Sequence, residues 1–245
     1  HVLDTPQYWL DANALDVRLE SKERHRMAQD LGVPKADVAK YATSIRYDRE
    51  FVRLGFRDIA RDTDERTLIF SLLPKNCGAG NTININIPKT YARSEDGGVT
   101  TKPVSPLRLL FALAWFNSLP VDWLARFMIQ IHANKTYLFR LPMPQPSDDE
   151  IRGNPVYTQL AKNALLLTLA APSPKAWDDF CELAPLFGIQ KHDLPHTAKA
   201  QDRLRAENDK AVAHLYGMTD AELAHLLRSF KVMANKRPEY MALLQ

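Results

Sequence analysis

The sequence lacks most of the features that place a chain in a specialised class. Its 245 residues include two cysteines, Cys77 and Cys181, which are too few for a disulfide framework and lack the spacing of a metal site. No apolar run approaches the ~18 residues of a membrane span, and no signal-peptide pattern occurs. We therefore expect a reducing, cytoplasmic compartment and no membrane partner. The first residue is His1 rather than methionine, so we also expect a fragment of a longer chain.

Recognisable catalytic and metal-binding patterns are also missing. The seven histidines show no paired ligand spacing. His192 and His196 are four residues apart, but Pro195 between them disfavours a helical metal site. We find no Asp…Glu-x-Lys nuclease core, and no pattern points to Ser/His/Asp catalysis. We therefore expect neither a catalytic residue nor a metal ligand.

Acidic residues are scarce in one long stretch. The net charge is +3; residues 1–145 contain 20 Lys and Arg against 16 Asp and Glu, and residues 146–245 contain 12 against 13. Between Asp96 and Asp148 the one acidic residue is Asp122. The same stretch contains five basic residues: Lys102, Arg108, Arg126, Lys135 and Arg140. A local positive field of this kind favours phosphate binding, although the net charge is too small for a tight, independent DNA binder.

The stretch around which the sequence is organised is 55–74, where ionic side chains are densest. The charged segment leads directly into the apolar run 68–73, which Pro74 ends. A small-residue loop over 75–81 then precedes 82–87, whose alternation of polar and apolar residues predicts a half-buried strand. The loop beside the Arg/Asp cluster suits a polyanion-binding surface. The alternative is an internal salt-bridge network that fixes a sheet edge.

Periodicity and helix breakers divide the rest of the chain. We expect strands over 51–59 and 135–141, an exposed loop over 91–103 and an acidic linker over 145–154. Helices are expected over these ranges: 14–31, 34–42, 107–119, 121–131, 157–171, 176–187, 197–216 and 221–230.

Apolar side chains indicate where the core lies. The helix over 107–119 is apolar on nearly every face and is expected to be buried. The next helix is expected to turn one stripe toward the core: Trp123, Leu124, Phe127, Met128 and Ile131. Residues 6–10 are expected to form a packing anchor. The sequence therefore predicts an α+β fold, with a mixed-sheet domain over 1–145 packed on buried helices and a mostly helical region over 146–245.

A polar turn follows the second of these helices. It contains His132, Asn134, Lys135, Thr136 and Tyr137. Lys and Asn can donate to base edges or phosphates, Thr can do either, and Tyr can stack. These side chains suit a nucleic-acid contact. The alternative is an ordinary connection from a helix to a strand.

Four short runs in the organising stretch resemble the target-recognition region of large bacterial adenine-N6 DNA methyltransferases. This class comprises single-chain type II restriction–modification enzymes and related phage-defence methylases. The runs are Gly55-Phe56-Arg57-Asp58-Ile59, Asp64-Glu65-Arg66-Thr67-Leu68-Ile69, Leu72-Leu73-Pro74 and Gly80-Asn81-Thr82. The polar turn and the segment over 204–230, with Leu215-Tyr216-Gly217, resemble the same class. The resemblance covers most of 1–145 and 200–232, whereas 155–197 resembles no family.

The resemblance implies a DNA sequence-recognition (specificity) domain that binds double-stranded DNA. Catalysis and S-adenosylmethionine would then belong to a missing catalytic domain of the same chain, and the parent would be a site-specific adenine methyltransferase, with or without a fused endonuclease. This fragment itself is expected to hold no cofactor. Asn154-Pro155-Val156-Tyr157 lacks the second proline of the tetrad that holds the adenine, and Cys77-Gly78-Ala79-Gly80 does not open a helix.

The resemblance and the chemistry together identify candidate site residues. The expected DNA-binding residues are Asn76, Asn81, Thr82, His132, Asn134, Lys135, Thr136, Tyr137, Arg140 and Arg61. The expected structural ion pairs involve Arg57, Asp58, Glu65 and Arg66, since charges beside an apolar strand are tolerated when paired. The alternative function is a structural or interaction module that docks other domains or partner proteins of a restriction or phage-defence complex.

Overall fold

The computed structural model describes residues 10–61, 64–129 and 131–245. Over these residues the chain adopts the expected α+β fold, with two small antiparallel sheets among many helices. The strands are β1 (Arg53–Arg57), β2 (Phe70–Leu73), β3 (Ile83–Ile85), β4 (Lys89–Arg93) and β5 (Val99–Pro103). The α-helices are α1 (Ala12–Leu31), α2 (Pro106–Phe116), α3 (Leu119–Arg126), α4 (Lys135–Leu138), α5 (Asp148–Gly153), α6 (Pro155–Leu169), α7 (Ala176–Phe180), α8 (Ala198–Leu215), α9 (Asp220–Leu227), α10 (Lys231–Lys236) and α11 (Pro238–Ala242). Short 3-10 helices cover Lys35–Ser44, Asp48–Glu50, Cys181–Phe187 and Lys191–Asp193. Of the packing anchor expected over 6–10, all but Leu10 lies outside the described residues.

Strand β1 is the centre of the larger sheet, whose order is β2-β1-β3. Both neighbours run antiparallel to β1, which differs from the mixed sheet expected from the sequence. Gly55 leaves room for the side chain of Leu73 on β2, because a Cβ atom at position 55 would lie 2.2 Å from Leu73 Cδ1. Since β2 and β3 flank β1 and share one direction, the connection over 74–82 crosses a face of the sheet.

The buried side chain of Arg53 holds this connection. Arg53 is 2% exposed, and its Nη2 donates to the carbonyl oxygens of Pro74 at 3.0 Å and Cys77 at 2.7 Å. Burial lowers the pKa of Arg53. The two carbonyl oxygens provide acceptors that a buried guanidinium requires.

The main hydrophobic core lies where α2 packs along α6 and against the larger sheet. It includes Leu54 of β1, Phe70 of β2, Leu110 of α2 and Leu165 of α6. The helix expected over 107–119 is therefore buried as predicted. Residues on both sides of position 145 contribute to this core, and the division into 1–145 and 146–245 stays a prediction.

Two smaller clusters extend the core. Helices α9, α10 and α11 join α3 and α8 in a cluster that buries Leu119, Phe230 and Tyr240. At the other end of the chain, α1 packs against the hairpin of β4 and β5 and buries Met27 and Tyr91. None of the helices in the described residues has the length and apolar content that a membrane crossing needs.

The prediction of an exposed loop over 91–103 was wrong, because this range forms most of the β4-β5 hairpin. The strands pair from Lys89↔Pro103 to Arg93↔Val99, and the turn contains Gly97 at a φ of 79°. Tyr and Thr favour strands, whereas the adjacent glycines belong to the turn alone. The sequence reading gave too much weight to those glycines.

A buried ionic network joins α1 to this hairpin. Lys89 is fully buried and its Nζ lies 2.9 Å from Glu23 Oε2 and 2.8 Å from Asp48 Oδ1. Arg26 pairs with the same two carboxylates. Burial opposes ionisation of Asp48, but hydrogen bonds from Arg26 and Lys89 outweigh it and lower the pKa of Asp48. The four charges balance, which is the condition for placing them away from water.

The acidic linker expected over 145–154 contains helix α5. Ser147 and Glu150 form a capping box at its start, and Ile151 is fully buried in the main core. Acidic residues in the first turn stabilise a helix through the macrodipole. The acidic composition that indicated a linker is therefore the composition of a short helix start.

The apolar stripe expected on the second buried helix faces the core in part: Trp123, Leu124 and Met128 are half-buried and pack against the core clusters. Phe127 is 72% exposed and Ile131 is 60% exposed. The buried positions are Val121, Ala125 and Ile129, which recur every four residues as one helix face does. The prediction was therefore correct for three of the five stripe residues and wrong for Phe127 and Ile131.

Candidate nucleic-acid interface

The polar turn is attached to the end of β1 by backbone hydrogen bonds. Ala60 N donates to Ile131 O at 2.8 Å, and Ala133 N donates to Asp58 O at 2.7 Å. Ile59 and His132 thereby form an isolated antiparallel bridge. The first residues of the turn consequently have a fixed position relative to the sheet.

His132 is oriented by a carboxylate. Its Nδ1 lies 2.8 Å from Asp58 Oδ2, while Asn84 Nδ2 donates to Asp58 Oδ1 at 3.1 Å. The hydrogen bond with His132 lowers the pKa of Asp58, and the one from Asn84 adds to the effect. Asp58 therefore positions His132 and does not pair with Arg57.

The prediction of a strand over 135–141 was wrong, because helix α4 begins at Lys135. Asn134 caps this helix, its Oδ1 accepting from Thr136 N at 2.9 Å. Leu138 is buried in the main core and Tyr137 packs against it. An Asn at the N-cap favours a helix start, and this signal outweighed the alternation that had suggested a strand.

The side chains on the outer surface of the turn are exposed and basic or polar. His132, Asn134, Lys135 and Thr136 are exposed, as is Arg140 after the helix. Among the described residues, Lys135 and Arg140 make no ion pair, which leaves both charges available to an external anion.

Only part of the loop over 75–82 lies beside the turn. Thr82 O accepts from Asp58 N at 2.9 Å, so the exposed residues Asn81 and Thr82 lie near His132. Asn76 lies at the opposite end of β1, where it has a φ of 57° and its Oδ1 accepts from Arg49 Nη1 at 3.0 Å. The structure thus does not bring Asn76 to the same site.

Two isoleucines in and just after strand β3 are exposed, although the alternation over 82–87 predicted that the apolar residues of this strand face inward. Ile83 is 43% exposed and Ile87, just beyond it, is 59% exposed. Asn86 is half-buried, and its Oδ1 accepts from Leu54 N at 2.8 Å. The asparagines occupy inner positions because they satisfy backbone and carboxylate groups at the sheet edge.

The expected structural residues have different partners from one another. Arg57 Nη2 lies 3.0 Å from Asp64 Oδ2 and donates to Arg66 O at 2.9 Å. Glu65 Oε1 lies 3.7 Å from Arg237 Nη1. Arg61, one of the expected DNA-binding residues, is exposed and makes no ion pair among the described residues.

Arg66 belongs to a second group of charges, which we call the ionic junction: Arg66, Asp122, Arg126, Asp209 and Tyr240. Asp122 is fully buried; its Oδ1 accepts from Leu68 N at 2.6 Å, and its Oδ2 accepts from Arg126 Nε at 3.1 Å. Arg126 Nη2 also donates to the carbonyl oxygens of Asp64 and Glu65, each at 2.9 Å. These bonds fix the segment before β2 to α3.

The C-terminal helices complete the ionic junction. Asp209 Oδ1 accepts from Leu119 N at 2.7 Å, and Oδ2 accepts from the Tyr240 hydroxyl. Burial raises the pKa of Asp209 and that of Tyr240. Arg66 lies near both groups, and its Nη1 donates to Asn117 O. The charges therefore connect the organising stretch to α8 and α11.

Sequence reasoning missed Asp122, Asn117 and Asp209. Asn117 covers the free edge of β2: it accepts from Phe70 N and donates to Phe70 O, each at 2.9 Å. One signal was present, because Asp122 is the single acidic residue between Asp96 and Asp148. Its isolation in an apolar helix could have marked it as a buried partner.

Among the described residues, no group of three or more His, Cys, Asp and Glu side chains could hold a metal ion. We find no match to this chain among protein-family models, curated proteins or solved structures. The sequence resemblance to adenine-N6 methyltransferases thus remains a hypothesis.

Proposed function

We propose that this chain is the DNA sequence-recognition domain of an adenine-N6 DNA methyltransferase. It would hold a specific duplex while a catalytic domain elsewhere in the chain binds S-adenosylmethionine, flips the adenine and methylates it. In this proposal the fragment carries no catalytic residue and works in the cytoplasm. The observation that carries the proposal is the polar turn, which is attached to the sheet and exposes Lys135 without an ion pair among the described residues.

The polar turn has the chemistry of a reading element. Lys135 is a donor to phosphate or to guanine, and Asn134 and Thr136 offer shorter polar groups. His132 forms a hydrogen bond to Asp58 through Nδ1, so Nε2 is the ring nitrogen that would contact DNA. Hydrogen bonds to β1 limit the freedom of the turn. Fixed side chains lose less entropy on binding than mobile ones.

Basic residues around the turn would supply the phosphate contacts. Arg61 and Arg140 are exposed and have no acidic partner among the described residues. Each phosphate contact that releases a counterion contributes to a salt-dependent affinity. With so few such contacts, the isolated domain should bind DNA weakly and should lose binding as salt is raised.

Lys135→Ala in the parent enzyme tests the proposal. If Lys135 reads a base, the variant loses about 1–3 kcal/mol of binding and relaxes selectivity at one position. If it contacts phosphate, affinity falls evenly across sequences and the salt slope drops by about one. The measurements are methylation of a randomised-site DNA pool and binding at several salt concentrations.

Lys102→Ala is the matched control, because Lys102 is an exposed lysine on β5, away from the turn. The control should retain the selectivity, affinity and salt slope of the unmodified enzyme. Unchanged selectivity, affinity and salt slope in Lys135→Ala would contradict the proposal.

A second function, docking of another domain or partner protein, is favoured by exposed apolar side chains near the turn. Phe139 is 83% exposed, and Phe127 and Ile131 are also exposed. Such side chains are common at protein interfaces. In this case Phe139→Ser would weaken association with the rest of the parent chain while Lys135→Ala left DNA selectivity unchanged.

A further inference from the structure

A cleft of about 580 Å³ lies between the edge of β2 and helices α2, α6 and α8. Its volume falls within the roughly 300–1,000 Å³ of small-molecule sites. No residue of the polar turn lines it. The cleft is therefore separate from the proposed DNA-binding surface.

Small side chains on facing helices keep the cleft open. Ala114 of α2 and Ala164 of α6 both line it, beside the larger apolar residues Phe70 and Leu113. A leucine at either alanine position would occupy part of the space. The result is an apolar wall against which a ligand can pack.

Guanidinium groups form the polar side of the cleft. Arg66, Arg205 and Arg237 line it, and Asp179 is the one acidic residue among its described lining residues. Asp202, outside the lining, accepts from Arg205 Nη1 at 2.7 Å and also from Arg237 Nη2. Gln201 Oε1 accepts from Arg205 Nη2 at 3.2 Å, and Glu65 Oε1 lies 3.7 Å from Arg237 Nη1. A guanidinium group has several N–H donors, so these pairs leave further donors on both groups for a ligand oxygen.

An amide donor is also available. Asn208 lines the cleft, and its Oδ1 accepts from Asn163 Nδ2 at 3.0 Å. The described residues provide no acceptor for Asn208 Nδ2. An amide donor that lines the cleft suits a ligand oxygen as its partner. An added peptide strand is disfavoured, because Asn117 already occupies the Phe70 edge of β2.

We propose that this cleft binds a small organic anion, a carboxylate or phosphate attached to an apolar body. The guanidinium groups and Asn208 Nδ2 bind the anionic group, and the apolar body packs against Phe70 and Leu113. Guanidinium groups suit this task because they present paired donors to carboxylate and phosphate oxygens. This site does not depend on the proposed recognition of DNA.

The test uses the fluorescent anion 1-anilinonaphthalene-8-sulfonate, which combines an aromatic body with a sulfonate. We expect one molecule to bind per chain, with an increase in fluorescence. The neutral analogue N-phenyl-1-naphthylamine should bind at least about tenfold more weakly, since charge-assisted hydrogen bonds contribute on the order of 1.4 kcal/mol or more.

Two variants locate the binding site. Ser71 is exposed on β2 and lines the mouth of the cleft, so Ser71→Trp should block binding. Arg205→Gln should weaken it about tenfold. The matched controls are Thr90→Trp, at an exposed strand position away from the cleft, and Arg108→Gln, at an exposed arginine outside it. Both controls should bind like the unmodified chain.

Thermal unfolding of each variant checks that the fold is retained. Equal binding by Ser71→Trp and the unmodified chain would overturn the proposed location. Equal binding of the neutral and anionic probes, or an unchanged affinity in Arg205→Gln, would overturn the proposed ligand class. Because Ser71 and Arg205 act separately, failure of one variant to fold leaves the other as a test.

Discussion

The polar turn and the ionic junction both attach to the organising stretch 55–74, yet their charged groups have opposite surroundings. In the ionic junction, Asp122 is fully buried and is hydrogen-bonded to Leu68 N and Arg126. In the polar turn, Lys135 is exposed and has no ion pair among the described residues. Paired, buried charges fix the fold, whereas unpaired, exposed charges are free to act on a ligand.

The comparison also bears on the two interpretations of the charged stretch, of which polyanion binding stays a prediction. Arg66 and the backbone of 64–68 bind residues of α2, α3 and the C-terminal helices, which is the internal network considered as the alternative. Asp58 holds His132 instead and so supports the exposed turn. One short segment therefore contains both a structural half and a half that presents side chains outward.

The largest expected effect is on the ionic junction. Asp122→Ala should lower the free energy of unfolding by about 3–5 kcal/mol, because it removes the buried carboxylate that accepts from Arg126 Nε and from Leu68 N. Urea unfolding measures this value. Glu95→Ala, at an exposed acid of the β4-β5 turn, is the control and should change stability little. A loss below about 1 kcal/mol in Asp122→Ala would show that the junction is not structural.

A smaller effect is expected at Arg57. Its pair with Asp64 has side chains 37% and 36% exposed, so solvent screens the interaction. Arg57→Ala should cost about 0.2–1 kcal/mol in the same unfolding measurement. Removing one partner of a buried pair costs about 3–5 kcal/mol, so this half-exposed pair should contribute less. A loss equal to that of Asp122→Ala would contradict the distinction between half-exposed and buried pairs.

The link between Asp58 and His132 predicts a dependence on pH. The hydrogen bond with His132 lowers the pKa of Asp58 in the folded chain, so ionised Asp58 contributes stability above its ordinary pKa of about 3.9. That contribution is lost as the pH falls through the folded pKa. Asp58→Asn should therefore be less stable than the unmodified chain at pH 7, and the difference should shrink below about pH 4.

Urea unfolding between neutral and acidic pH measures this dependence. His132→Gln should lose part of the same stabilisation, since Asn84 is then the one side-chain partner of Asp58 among the described residues. A constant difference between Asp58→Asn and the unmodified chain over the whole range would show that the bond does not depend on ionisation.

Local signals in the sequence predicted much of the fold. Gly32 ends α1 in the left-handed conformation, and Thr219 with Glu222 forms the capping box of α9. The apolar character of 107–119 predicted the buried helix α2. These features depend on neighbouring residues, so the sequence contains their causes.

The errors occurred where distant contacts decide the outcome. Asn134 begins a helix, but Leu138 in the core stabilises it. The acidic stretch over 145–154 contains helix α5, which is stabilised by the burial of Ile151 in the main core. The exposed residues of the turn were identifiable from their chemistry, whereas Asn76 was misplaced because its contact with Arg49 depends on the course of the connection across the sheet.

We propose that DNA contacts the polar turn and not the ionic junction, and hydrogen–deuterium exchange with and without a duplex distinguishes the two surfaces. We expect slower exchange in peptides that span 131–140 and 80–84 when the duplex is added. Peptides that span 64–68 and the C-terminal helices should exchange at the same rate with or without the duplex. Protection confined to the C-terminal helices, with no change over 131–140, would contradict the account.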